Sequence, residues 1–171
     1  MKKIFLLLVV IFILAISSAA MPAKAGELAD GNVSLGQDHV KMTWYLVSYG
    51  KVEDTGAPLG VVRKYYTNAG IKDETIELLM SKFGLDAARA SSLYFTEYVY
   101  NYAVDHKKFA VGYIRHYDME GLLVHGTDFN TPEELTWVNV DAKGPSGLAL
   151  NAIRKAANIP DPSKKPAPKK K

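Results

Sequence analysis

The pattern of apolar positions changes character along the chain. An unbroken apolar run occupies residues 4–16, and beyond it apolar positions alternate with polar ones or recur at helical spacing. The alternating stretches at residues 42–49 and 59–66 predict two strands. Residues 50–60 between them are rich in glycine, proline and aspartate, which predicts a turn region.

Helical spacing follows the second strand. Ile76, Leu79, Met80 and Phe83 recur at helical spacing, so the sequence predicts a helix over residues 73–83 that begins at Asp73 and stops at Gly84. Residues 86–92, rich in alanine and serine, can add a further helical turn.

Residues 93–104 fit two periods. Tyr94, Tyr98 and Tyr102 match the four-residue spacing of a helix, and with Tyr100 they also match one face of a strand. The aromatic density favours the strand.

The next segment predicts a β-hairpin, with strands at residues 108–117 and 122–129 around a turn at residues 118–121. Strict alternation would place the following side chains of the first strand on one face: Phe109, Val111, Tyr113, Arg115 and Tyr117.

A short strand at residues 136–140 and a final helix complete the pattern. Ser146 is the expected cap of that helix, Leu150, Ile153 and Ala157 form its apolar stripe, and Pro160 ends it.

These elements predict an α+β fold, with an antiparallel β-sheet of about five to six strands packed by two helices, the last of them C-terminal. The expected organisation is a signal peptide (residues 1–25), a flexible leader (26–41), a single α+β domain (42–160) and a disordered Lys/Pro-rich tail (161–171).

The first residues carry the features of a secretory signal. Lys2 and Lys3 precede the apolar run, and Ala23-Lys24-Ala25 offers small residues for cleavage after Ala25, with Ala20 as the alternative. The run is shorter than a spanning helix needs, so no stable transmembrane anchor is expected after cleavage. The predicted location is therefore outside the cytoplasm: the periplasm, the cell surface or the extracellular space.

The amino-acid composition limits the kinds of functional site and partner that the protein can have. The chain has no cysteine, which excludes disulfides, thiolate metal sites and a lipid-bearing cysteine. Its net charge of +3 comes from lysines of the signal, so the mature chain is near neutral and nucleic acid is not an expected partner.

The C-terminal lysines are the one cationic cluster. A flexible cationic stem can hold weakly to anionic envelope components, or it can serve only as a solubilising tail. The candidate binding lysines are Lys164, Lys165, Lys169, Lys170 and Lys171.

The ten tyrosines suggest either a binding surface or the packing of a half-buried sheet. If one exposed tyrosine face exists, the candidate residues are Tyr94, Tyr98, Tyr100 and Tyr102.

Catalytic and metal-binding patterns are weak. His116 and His125 would lie opposite each other with a two-residue hairpin loop, but on different faces with the favoured three-residue loop. We expect no metal site, because zinc needs three or four convergent ligands. No Gly-x-Ser-x-Gly elbow or phosphate loop is present, so we expect neither an enzyme nor a cofactor.

Several short motifs stand in a suggestive order. They are Trp44-Tyr45, Lys64-Tyr65-Tyr66-Thr67, Asp105-His106-Lys107-Lys108, Tyr117-Asp118-Met119-Glu120-Gly121, Trp137 and Gly144-Pro145-Ser146-Gly147. Over residues 42–157 this order resembles the small exported domains related to surface-adhesin protein E, whose usual pattern is a tyrosine-aspartate-glycine turn, a tryptophan and a proline-glycine-serine helix start. The cysteine pair of many members is absent here, where Val104-Asp105 and Ala156-Ala157 stand.

The resemblance implies an antiparallel sheet covered by helix and a role in binding host or matrix proteins. The predicted function is an exported, non-catalytic cell-envelope or surface protein of adhesin-like character. The alternative is a periplasmic envelope-maintenance or assembly protein of unknown ligand, and a periplasmic enzyme ranks third. A homodimer through a free strand edge stays open.

Overall fold

A computed structural model describes residues 28–129 and 131–163 of the 171-residue chain. The strands are β1 (Ala29–Gln37), β2 (Thr43–Lys51), β3 (Pro58–Tyr65), β4 (Phe95–Tyr102), β5 (Lys108–Tyr117), β6 (Leu123–Asp128) and β7 (Val138–Asn139). The helices are α1 (Ala69–Phe83), α2 (Ala87–Ser91) and α3 (Pro145–Ala156). The predicted signal peptide and the lysines of the tail lie outside the described residues.

The seven strands form one antiparallel sheet in the order β1-β2-β3-β4-β5-β6, with β7 paired to the beginning of β5. Each of the first six strands therefore lies beside its neighbour in sequence. The predicted α+β class and antiparallel sheet are confirmed, and the C-terminal helix is the last element.

Both long helices begin at residues other than the predicted caps. α1 begins after Asn68, whose side chain accepts a hydrogen bond from the Gly70 amide at 3.0 Å, so the prediction of Asp73 as the cap is wrong. The helix ends as predicted at Gly84, where φ is 68°, a conformation that glycine adopts without strain.

The start of α3 also differs from the prediction. Gly144 is its N-cap, and Pro145 lies in the first turn. Amides of the first turn have no acceptor within the helix, so no helical hydrogen bond is lost when proline stands there. Ser146 is buried inside the first turn, and its hydroxyl accepts a hydrogen bond from the Asp141 amide.

The main core lies between α3 and one face of the sheet. Ala149, Leu150 and Ile153 of α3 are buried against a set of sheet residues. Those sheet residues are Trp44, Leu46, Val62, Tyr100 and Tyr102. We call this the helix-covered face.

α1 and α2 pack near the β6 edge of the sheet. Leu79 of α1, Ala90 of α2 and Leu93 form a second buried cluster with Val124 of β6. The ring of Phe83 lies 4.2 Å from that of His125, so α1 also reaches the helix-covered face.

The first strand lies where the sequence predicted a flexible leader. β1 pairs with β2 from Ala29 to Gln37, although most of its side chains are exposed. An edge strand is held by backbone hydrogen bonds along one side and needs no regular apolar alternation. The pattern of side chains therefore gave no sign of it.

The ambiguous tyrosine segment forms β4, as the aromatic density favoured. Its partner β5 contains a β-bulge, because Val99 pairs with Tyr113 whereas Tyr100 pairs with Val111. Gly112 is the extra residue, and a Cβ there would lie 2.5 Å from Asn101 Nδ2. The bulge puts Phe109 and Val111 on the helix-covered face and Tyr113 on the other, so the prediction of strict alternation is wrong.

No helix among the described residues is long and apolar enough to cross a membrane.

Candidate functional site

The tyrosines of β4 lie mostly under α3. Tyr100 and Tyr102 are buried, and the Tyr102 hydroxyl donates a 2.7 Å hydrogen bond to the Ser146 carbonyl. Tyr98 is half-buried against Trp44, and burial raises its pKa to about 12. The expected exposed face of Tyr94, Tyr98, Tyr100 and Tyr102 is thus not formed, because α3 packs on the side where three of them lie.

A different set of tyrosines occupies the opposite face of the sheet. Tyr94 is 44% exposed and the others are half-buried. The set, which we call the aromatic face, comprises Tyr45, Tyr65, Tyr94, Tyr113 and Tyr117.

Ring contacts connect much of the aromatic face. The Tyr65 ring lies 5.7 Å from those of Tyr45 and Tyr94, both in edge-on geometry. The Phe95 ring lies 5.6 Å from that of Tyr65 and stacks on Tyr117 at 4.9 Å. Such contacts restrict the rings, so the surface is held in shape before any partner arrives.

Charged side chains lie among these rings in pairs. Arg63 contacts Glu97 at 3.0 Å, and the Tyr113 hydroxyl donates to the same carboxylate at 3.0 Å. Arg115 donates from two nitrogens to Asp128. The face therefore presents guanidinium groups with little net charge.

Burial and the neighbouring Glu97 carboxylate raise the pKa of Tyr113 well above its usual range. The hydroxyl therefore stays protonated at physiological pH and can donate to Glu97 there.

A shallow groove of about 450 Å³ runs along the β1 side of the aromatic face. Tyr45, Tyr65 and Tyr94 supply aromatic walls, Arg63 supplies a cation and Asn32 of β1 supplies an amide. This combination can hold an extended polar segment by stacking and hydrogen bonding together.

Sequence reasoning found only Tyr94 of this face. The available signal was the alternation of β3 and β5, which carries Tyr65, Tyr113 and Tyr117. Alternation separates the side chains of a strand into two faces, but it does not indicate which of the two faces a helix covers.

The two histidines of the hairpin lie directly opposite each other, since His116 pairs with His125 and their rings are 6.3 Å apart. The favoured three-residue loop had predicted different faces. Gly121 takes the expected left-handed conformation at φ 81°, but a bulge between His116 and Tyr117 restores the register.

Burial, His125 and Lys64 lower the pKa of His116 to about 4, so its ring is neutral at physiological pH. Its Nδ1 forms a 2.9 Å hydrogen bond with the Thr96 hydroxyl, which also contacts the Tyr66 hydroxyl. Within residues 28–129 and 131–163, no group of three or more histidine, aspartate or glutamate side chains could hold a metal ion.

The candidate lysines Lys164, Lys165, Lys169, Lys170 and Lys171 lie outside the described residues. Just before them, residues 161–163 of the predicted disordered tail form a turn, where Asp161 pairs with Arg154 of α3.

The chain matches no family model, no curated protein and no solved structure.

Proposed function

We propose that this protein is an exported, non-catalytic binding protein of the cell envelope, with adhesin-like binding of host or matrix proteins through its aromatic face. One observation carries the proposal: within the described part of the chain, the helices cover one face of the sheet and leave a tyrosine- and arginine-rich face open. Tyrosine and arginine are the side chains that dominate protein interfaces.

The charge pattern favours a protein as the partner. Because Arg63 is paired with Glu97 and Arg115 with Asp128, the face offers no excess of positive charge to a polyanion. Its rings and guanidinium planes are already fixed by their neighbours, so little side-chain entropy is lost on binding.

Export is supported by residues 1–25, where two lysines precede an apolar run and small residues follow. The C-terminal lysines add a means of weak attachment to anionic envelope components. The two features together suit a protein that works at the outside of the cell.

Protease shaving of intact cells tests the location. We expect peptides from residues 26–171 to be released and identified by mass spectrometry, while a cytoplasmic control protein stays intact. Protection until the envelope is opened would overturn the adhesin proposal and favour the periplasmic alternative.

A binding assay against purified extracellular-matrix proteins tests the face itself. The double variant Tyr94→Ala/Tyr117→Ala should weaken binding by about tenfold or more, since truncated aromatic anchors commonly cost that much. Met80→Ala is the control, because Met80 is 36% exposed on α1, which packs on the opposite, helix-covered side of the sheet. Equal affinities for the two variants would contradict the assignment.

A further inference from the structure

A second cavity lies on the helix-covered face, between α1 and the sheet, with a volume of about 410 Å³. We call it the helix–sheet pocket. It falls within the range of roughly 300–1,000 Å³ that is usual for small-molecule sites.

The walls of the helix–sheet pocket are largely apolar. Leu78 and Phe83 of α1 form one side, while Ile114 of β5 and Phe129 lie across from them. Leu78 is 48% exposed, which places it at the rim of the pocket. An apolar ligand body would gain by leaving water here.

The polar groups that line the pocket share one character. Lys64 and Lys82 are cations, His116 and His125 carry ring nitrogens, and no aspartate or glutamate is among the described lining residues. The pocket therefore favours a negatively charged or hydrogen-bond-accepting ligand group.

Lys64 is the cation best placed to bind such a group. Its ammonium lies 4.6 Å from the centroid of the Tyr66 ring and 5.8 Å from that of Tyr98. It forms no ion pair with any described carboxylate, so its charge is compensated only by aromatic rings and their hydroxyls.

His125 is a further polar group of the pocket that a ligand could contact. Its Nε2 is shielded from solvent and has no hydrogen-bond partner among the described residues. A shielded nitrogen without a partner costs stability, and a bound polar group would remove that cost.

We propose that the helix–sheet pocket binds a free organic carboxylate with a short apolar tail, the carboxylate lying toward Lys64 and the tail toward Leu78 and Ile114. This site is on the opposite side of the sheet from the aromatic face, so the proposal goes beyond adhesion and does not depend on it.

Titration of the exported, processed chain with octanoate, followed by two-dimensional NMR, tests the site. We expect saturable shifts for residues of the pocket, including His116 and His125. The uncharged analogue 1-octanol has the same tail, and we expect it to bind about tenfold more weakly because it lacks the charge-assisted interaction.

Lys64→Met keeps the apolar stem and removes the charge. It should abolish the preference for octanoate over octanol, whereas Lys108→Met, at an exposed strand lysine away from the pocket, should leave the preference intact. Equal binding of the two probes by the unaltered chain would overturn the proposal, as would an unchanged preference in Lys64→Met.

A second variant tests the proposal independently, in case Lys64→Met does not fold. Leu78→Asp puts a carboxylate at the exposed rim of the pocket and leaves the buried core untouched. It should weaken octanoate binding about tenfold through like-charge repulsion and loss of apolar contact. Unchanged octanoate affinity in Leu78→Asp would also overturn the proposal.

Discussion

The two faces of this sheet use the same residue type for different purposes. On the helix-covered face, Tyr100 and Tyr102 are packed under α3 and are almost inaccessible to solvent. On the opposite face, Tyr65 and Tyr113 remain half-exposed among paired charges. The difference shows that the content of tyrosine does not identify a binding surface, since coverage by a helix decides which tyrosines can meet a partner.

The hydroxyl partners differ in the same way. The buried Tyr102 hydroxyl donates to a backbone carbonyl of α3, which ties the helix to the sheet. The Tyr113 hydroxyl donates to the Glu97 side chain on the open face. One contact belongs to the core, and the other helps to fix the shape of a surface.

The largest expected contrast comes from truncating one leucine on each face. Leu46→Ala should lower the free energy of unfolding by about 2–5 kcal/mol, because Leu46 is fully buried beneath α3. Leu123→Ala should change it by about 0.5 kcal/mol or less, since Leu123 is 50% exposed on the open face. Urea denaturation of both variants measures the contrast, and equal losses would contradict the assignment of the two faces.

The next effect concerns the pH dependence of stability. His116 has a pKa of about 4 in the folded protein and about 6.5 when unfolded, so between these values only the unfolded chain takes up the proton. The contribution of neutral His116 to the free energy of unfolding is therefore fully present above about pH 6.5. As the pH drops to 4, the free energy of unfolding should fall by about 3 kcal/mol at most.

The control for this prediction is His116→Gln, whose side-chain amide can donate or accept a hydrogen bond with Thr96 but does not titrate. Its unfolding free energy should vary less with pH over this range than that of the unaltered protein. Parallel pH curves for the two proteins would show that His116 is not the titrating group.

A smaller effect is expected from removing single hydroxyls. Tyr102→Phe removes one buried hydrogen bond, the one that its hydroxyl donates to the Ser146 carbonyl, which should cost about 0.5–1.5 kcal/mol. Tyr45→Phe on the aromatic face should lower the free energy of unfolding much less, because Tyr45 is half-exposed and its hydroxyl can be hydrated by water. Thermal unfolding of the two variants compares them, and a larger loss for Tyr45→Phe would reverse the comparison.

The smallest effect belongs to the surface ion pair. Arg115 and Asp128 are 37% and 46% exposed, so Asp128→Asn should cost about 1 kcal/mol or less. The difference from the unaltered protein should shrink in about 1 M salt, where exposed charges are screened. A cost that persists at high salt would indicate that the pair is more shielded than its exposure suggests.

Much of the local structure could be predicted from the sequence. Gly84 ended α1, the turn before Gly121 joined β5 to β6, and the strands containing Trp44 and Val61 formed where alternation predicted them. These features depend on neighbouring residues only, through backbone conformation and the period of side chains.

The candidate site could not be predicted in the same way. The aromatic face combines tyrosines from β2, β3, β5 and the segment before β4, and its register depends on bulges that no local pattern reveals. The pairing of His116 with His125 required one such bulge, and the side of Tyr113 required another at Gly112.

The sequence by itself determined most of the strands and helices from β2 onward, and that their side chains form two distinct sets, but it gave no sign of β1. The tertiary structure decided which set is covered, because the docking of α3 and α1 depends on contacts between residues far apart in the chain. Leu46 and Ile153 meet in the core although more than a hundred positions separate them. Alternation makes the two faces of a strand equivalent until such a contact buries one of them.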